Sequence, residues 1–218
     1  MKKFAAIFDM DGTMVDNTPY HLKSWQTLFK KYDMGDLSPE TYYTQISGVP
    51  IMDTLKRLFP DAEESRLRGL LQEKEGLYKQ LYGPYATPIN GLENFLIELK
   101  NAGIKLAMAS SATIDDIDFI LSHVPVRNYF DAIIDGNRVS KSKPNPQIFL
   151  KAADDLGVKP EDCVVFEDSL AGIKAANAAG MKVIGITTSH PPDKLQPADL
   201  IIADYTALDF KKLADLFN

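Results

Sequence analysis

Asp9 and Asp11 flank a single residue at the end of the apolar run Phe4-Ala5-Ala6-Ile7-Phe8, and Gly12-Thr13 follow at once. Side chains alternate along a buried parallel strand, so residues two apart start on the same side. The carboxyl ends of such strands are where ligands bind in an open α/β sheet. Two carboxylates held together there share a metal ion or divide acid and base work between them. For an isolated D-x-D-G, capping a strand with an Asx-turn is the commoner use. The apolar run before this pair and the partners downstream favour chemistry.

Three further groups fall at the ends of apolar runs. Lys105–Ala109 leads into Ser110-Ser111, whose hydroxyls and backbone N–H groups can bind an anion or can cap the following helix, with Thr113-x-x-Asp116 as a competing cap. Lys143, in Ser140-Lys141-Ser142-Lys143-Pro144-Asn145-Pro146, precedes a helix opened by proline. A lysine there is either solvated or neutralises a phosphate or a developing negative charge. Cys163–Phe166 ends in Glu167-Asp168-Ser169, a second acidic pair at a strand end, with Ser169 capping the next helix. A hard divalent cation gathering carboxylates from two strand ends accounts for both pairs.

The elements that must position these groups read as alternating strands and helices. Strands are expected at Phe4–Phe8, Lys105–Ala109, Ala132–Ile134, Cys163–Phe166, Val183–Ile186 and Leu200–Ile202. Helices are expected at Leu92–Asn101, Ile114–Ser122, Pro146–Leu156 and Leu170–Ala179. This pattern predicts an α/β fold with a doubly wound parallel sheet. About ninety residues separate the first two strands, far more than a βα connection needs. Their pattern is helical, with Thr18-Pro19 as cap and first helical position of a helix through Lys31, and Asp61-x-x-Glu64 as a capping box opening a helix toward Tyr82. The predicted division is 1–16 with 86–218 as a Rossmann-like core and 17–85 as an all-helical second domain, expected to sit over the Asp9–Asp11 site. The chain has 218 residues and a formal charge of −6, which disfavours nucleic acid and anionic membrane as partners. No run is long enough to span a membrane. The lone cysteine, Cys163, lies in an apolar run, excludes an internal disulfide and suits a cytoplasmic location.

Asp9-Met10-Asp11-Gly12-Thr13, Ser110, Lys143-Pro144 and Glu167-Asp168-Ser169, in this order and with a helical insert between the first two, resemble the haloacid dehalogenase superfamily of aspartate-nucleophile enzymes. The insert resembles the helical cap of its β-phosphoglucomutase-like phosphatases. The resemblance implies a monomeric, Mg²⁺-dependent enzyme acting on a small phosphorylated metabolite. Asp9 would be the nucleophile and Asp11 the general acid and base. Ser110, Ser111, Lys143 and the Gly12 turn would hold phosphoryl oxygens. Asp9, the Asp11 carbonyl, Asp168 and Glu167, directly or through water, would hold the ion. An Asp at position 11 favours phosphoryl transfer over dehalogenation.

Cap residues bear on which phosphoryl transfer. His21 would orient Asp11 or meet a leaving group, or else is a polar residue on a half-exposed helix face. Ser47 and Gly48 belong to the cap loop Ile46-Ser47-Gly48-Val49-Pro50-Ile51. In β-phosphoglucomutases that loop carries basic residues around its glycine; here Ser47 and Ile51 stand in their place. A distal phosphate is costly to hold without cations or dense N–H donors. The sequence therefore reads as a phosphate monoester hydrolase. A sugar phosphomutase is the second reading, and a non-catalytic phosphate-binding or phospho-accepting module the third.

Overall fold

The computed structural model describes residues 4–47 and 49–217. The chain divides into two compact units: Met1–Asp16 with Thr87–Asn218, and Asn17–Ala86.

The first unit is built on six parallel strands, β1 (Ala5–Phe8), β2 (Lys105–Ala109), β3 (Ala132–Ile134), β4 (Cys163–Glu167), β5 (Lys182–Ile186) and β6 (Leu200–Ile202), in the order β3-β2-β1-β4-β5-β6. The order reverses between β1 and β4, and ligands of doubly wound folds bind in the crevice outside such a reversal. Every residue of β1 and β4 is buried, as expected for central strands covered on both faces. Register sets Phe8 opposite both Met108 and Phe166, and the Asp9 amide still donates to the Phe166 carbonyl at 3.0 Å. Asp9 therefore stands level with Glu167.

Alternation gives each strand two apolar faces. On one, Ile7, Ala107, Val165 and Val183 pack against α7 (Gln147–Leu156) and α8 (Leu170–Ala178). On the other, the rings of Phe8 and Phe166 stack 4.3 Å apart, with Phe95 of α5 (Leu92–Asn101) edge-on to Phe166 and Tyr205 beside both. Each such ring contributes about 1.5–3 kcal/mol by leaving water. The sheet ends that carry the polar groups are thus fixed from both sides.

The second unit is helical: α1 (Thr18–Lys31), α2 (Pro39–Gln45), α3 (Ile51–Leu58) and α4 (Glu64–Tyr82). Trp25, Leu28, Leu55, Leu67 and Leu70 form its own apolar core. Two helix starts differ from expectation. Thr18 is already helical, and the cap position falls to Asn17, whose side chain donates to the Tyr78 hydroxyl at 2.7 Å instead of capping. The Asp61–Glu64 capping box does not form, because α4 begins at Glu64 with Glu63 at the cap position and no side-chain cap bond. Among the described residues, no helix is long and apolar enough to cross a membrane.

Candidate active site

β1 stops at Phe8, so the strand alternation does not run as far as Asp11. Instead the chain turns: the Met14 and Thr13 amides donate to the Met10 carbonyl, and Gly12, at φ +75, takes a left-handed conformation that glycine tolerates best. Asp9 is left buried at the strand mouth, and Asp11 lies half-buried in the turn.

The switch point brings four side chains of the core unit together. Lys143 Nζ donates to Asp9 Oδ1 at 2.6 Å and to Glu167 Oε2 at 2.7 Å, with only 8 % of the lysine side chain exposed. One oxygen from each of Asp9, Glu167 and Asp168 lies within 4.8 Å of the others, and all three residues are buried. Three carboxylates face one ammonium, so the pocket carries surplus negative charge that burial makes costly. Burial pushes the Asp9 carboxyl well up, the Glu167 charge adds to this, and Lys143 opposes it. Asp168 is raised in the same way, by burial and then by Glu167 and Asp9. Burial disfavours the Lys143 ammonium, but Asp9 and Glu167 outweigh it and hold the lysine protonated. Hard oxygen donors with excess charge fit a hard divalent cation. The Asp11 carboxylate is not among the three oxygens that gather within 4.8 Å of one another, although its charge reaches Asp9.

Close approach of backbone makes the cluster possible. A methyl group on Gly12 would overlap the Asp168 carboxylate, and one on Gly172, in the first turn of α8, would overlap that of Glu167. Glu167 Oε1 also accepts from the Ser169 hydroxyl at 2.7 Å and its amide at 3.0 Å, while Ser169 Oγ caps α8 by accepting from Gly172 N–H.

Ser110 follows β2 at the same sheet edge and is 1 % exposed; its Oγ accepts from the Ala112 amide at 3.1 Å. It does not cap α6 (Ile114–His123), a role Thr113 takes by accepting from Asp116 N–H. Ser111 is exposed in the same loop. In the helical unit, His21 stacks on Tyr78 with ring centres 3.9 Å apart, and its Nδ1 lies 2.8 Å from Lys74 Nζ. Ser47 is half-buried after α2, and Gly48 lies outside the described residues. Cys163 is fully buried, and burial pushes its thiol up to about 12, as suits a packing residue.

Sequence reasoning missed the residues that brace this site from beyond β5. Thr188 Oγ1 donates to the Gly12 carbonyl, Ser189 Oγ donates to Asp168 Oδ2, and Tyr205 Oη donates to the Thr13 carbonyl at 2.9 Å. Thr187-Thr188-Ser189 follows a strand end just as Ser110-Ser111 does, and the same edge rule would have found it.

The family model of haloacid dehalogenase-like hydrolases matches residues 6–186. The chain belongs to this family. A β-phosphoglucomutase of Bacillus subtilis (strain 168) is 31% identical over 218 residues, covering 96% of this chain and 93% of that protein. A phosphorylated carbohydrates phosphatase of Thermotoga maritima is 31% identical over 191 residues, covering 85% and 86%. The crystal structure of a β-phosphoglucomutase from Clostridium difficile superposes with a TM-score of 0.88 at 28% identity, covering 100% of this chain and 98% of that one. This haloacid dehalogenase-like protein is an enzyme of the phosphatase type, among the family's phosphatases and their phosphomutase relatives.

Proposed function

We propose that the enzyme hydrolyses a small phosphate monoester in two displacements at phosphorus, with Mg²⁺ as the cation of the acidic cluster. The arrangement that carries this reading is Lys143 bridging Asp9 and Glu167 beside Asp168. In the first displacement an Asp9 oxygen bonds to phosphorus while the ester oxygen leaves, taking a proton from Asp11. In the second, water gives its proton to Asp11 and attacks the same phosphorus, releasing phosphate and restoring the Asp9 carboxylate. Lys143 and Ser110 hold the equatorial phosphoryl oxygens, with the Gly12 turn and Ser111 beside them. Asp9, Asp168 and the Asp11 carbonyl would hold the ion, which lowers the repulsion between an anionic nucleophile and an anionic ester. Glu167 is engaged by Lys143 at one oxygen and by Ser169 at the other. It serves chiefly to position Lys143 and reaches the ion at second remove.

Asn17–Ala86 is proposed as a cap domain that selects the substrate, with His21, Ser47 and Gly48 as its contributors. The stretch from Ile46 to Ile51 contains no lysine or arginine, and Arg57 beyond it donates to the Gln45 carbonyl at 2.7 Å. That favours hydrolysis over a reaction in which a second phosphate must be held. The likeness to β-phosphoglucomutases supports the alternative of sugar phosphomutation. Turnover of p-nitrophenyl phosphate and of a panel of sugar and polyol phosphates with Mg²⁺ tests the reading. Multiple turnovers with phosphate release are expected. Conversion of a hexose 1-phosphate to its 6-phosphate without phosphate release would establish the mutase, and a single equivalent of phosphoenzyme a phospho-accepting module.

A further inference from the structure

Lys143 donates to Asp9 and Glu167, while the hydrogen bonds that orient Asp168 come from elsewhere. Its surroundings come instead from three segments of the core unit. The Gly12 backbone lies against the carboxylate so closely that no Cβ fits between them. The Thr13 hydroxyl, fully buried, points at Oδ1 from 3.4 Å. The Ser189 hydroxyl donates to Oδ2. Ser189 sits three residues past the end of β5, and its neighbour Thr188 ties the same loop to the Gly12 carbonyl. The post-β5 loop thus grips both sides of the Gly12–Asp168 contact.

We infer that Ser189 is a positioning residue for the cation, acting through Asp168. A hydroxyl proton on Oδ2 fixes the plane of the carboxylate and leaves its remaining lone pairs turned toward Asp9 and Glu167. Partners of this kind orient metal-bound carboxylates and set affinity without touching the ion. The inference rests on the cation site proposed above. It goes beyond that reading by assigning affinity to a loop outside the strand-end motifs.

Ser189→Ala removes the hydroxyl. Ser189→Thr and Ser189→Val form a pair of equal shape in which only threonine keeps it. Binding of Mg²⁺ is read as the midpoint of thermal stabilisation against Mg²⁺ concentration, and independently by Mn²⁺ electron paramagnetic resonance. The alanine and valine variants should need about 10–100-fold more Mg²⁺, read for each variant against its own melting temperature in chelator. Threonine should restore the parental midpoint, and kcat at saturating Mg²⁺ should stay close to that of the parent. Parental midpoints in alanine and valine variants, or a loss of kcat that Mg²⁺ does not relieve, would overturn the inference. The parent and Asp168→Ala serve as references. If the parent itself shows no Mg²⁺-dependent stabilisation, the cation site falls and the role of Ser189 falls with it. If Asp168→Ala abolishes stabilisation and the Ser189 variants do not weaken it, only the role of Ser189 is lost.

Discussion

At the scale of single residues, the site works by forcing like charges together and supplying one ammonium between them. Asp9→Asn keeps the shape and the hydrogen-bond acceptor but removes the charge of the proposed nucleophile. It should lower kcat by about 10⁴-fold or more, as loss of a nucleophile does elsewhere, while far-ultraviolet circular dichroism stays unchanged. Gly12→Ala is a harsher test than its size suggests. Alanine at φ +75 costs about 1–2 kcal/mol in backbone strain, and its methyl group would displace the Asp168 carboxylate. The variant should fold with reduced stability in urea, and its Mg²⁺ requirement should rise steeply, so that added Mg²⁺ recovers only part of the rate. Asp9, Lys143, Glu167 and Asp168 were legible in the sequence because each ends a buried strand or precedes a helix, where a charged residue has little structural use. Ser189 was legible only as one of three hydroxyl residues after a strand end, with nothing local to single it out, and Tyr205 was not legible, because a tyrosine after an edge strand looks the same whether or not it reaches back to another motif.

At the scale of elements, the outer strands of the sheet are short and rely on side chains to finish their ladders. Asp131, just before β3, donates its amide to the Leu106 carbonyl and accepts the Leu106 amide on Oδ2, both at 2.8 Å. Asp199, just before β6, repeats the pattern with Val183, again at 2.8 Å for both bonds. Each carboxylate also takes a lysine, Lys100 at 2.9 Å and Lys182 at 2.8 Å. Asp199→Ala would leave the buried Val183 amide without this acceptor and should cost about 1–3 kcal/mol in urea unfolding, whereas Asp199→Asn retains an acceptor and should lose less. For Asp131, burial raises the carboxyl, but the Leu106 amide and Lys100 outweigh it and hold it below the usual carboxylate range. Its contribution to stability is therefore complete above the ordinary Asp value and disappears as pH falls through the lowered one. Asp131→Asn should lower stability by a pH-independent amount across the neutral region and flatten the acid limb of a stability-against-pH curve below about pH 4, so that its difference from the parent shrinks as pH falls. The strands were readable because apolar runs bounded by polar turns admit little else. Helix starts were less so: Asn17 is committed to Tyr78, and Asp61 falls short of the cap of α4, outcomes set by tertiary partners that local sequence does not reveal.

At the scale of the whole molecule, the division into two units predicts how the proposed cation should act on stability. Every side chain of the acidic cluster belongs to Met1–Asp16 or Thr87–Asn218. The helical unit has its own buried core around Trp25, Leu28, Leu55 and Leu70. A ligand that binds only the native form stabilises it by mass action, about 2.7 kcal/mol at a hundred times its dissociation constant. For a unit of roughly 150 residues this raises the melting temperature by about 5–10 °C, since each kcal/mol is worth about 2–4 °C at that size. Differential scanning calorimetry should therefore resolve two transitions, of which Mg²⁺ raises the one belonging to the sheet unit and leaves the smaller, helical one in place. A chelator should return the larger transition to its starting temperature. Asp168→Ala, which removes one oxygen donor from the core unit and none from the helical unit, should abolish the Mg²⁺ response of the larger transition without moving the smaller. A single transition that rises as a whole with Mg²⁺ would mean that the two units melt together, and the cation would then stabilise the helical unit as much as the sheet.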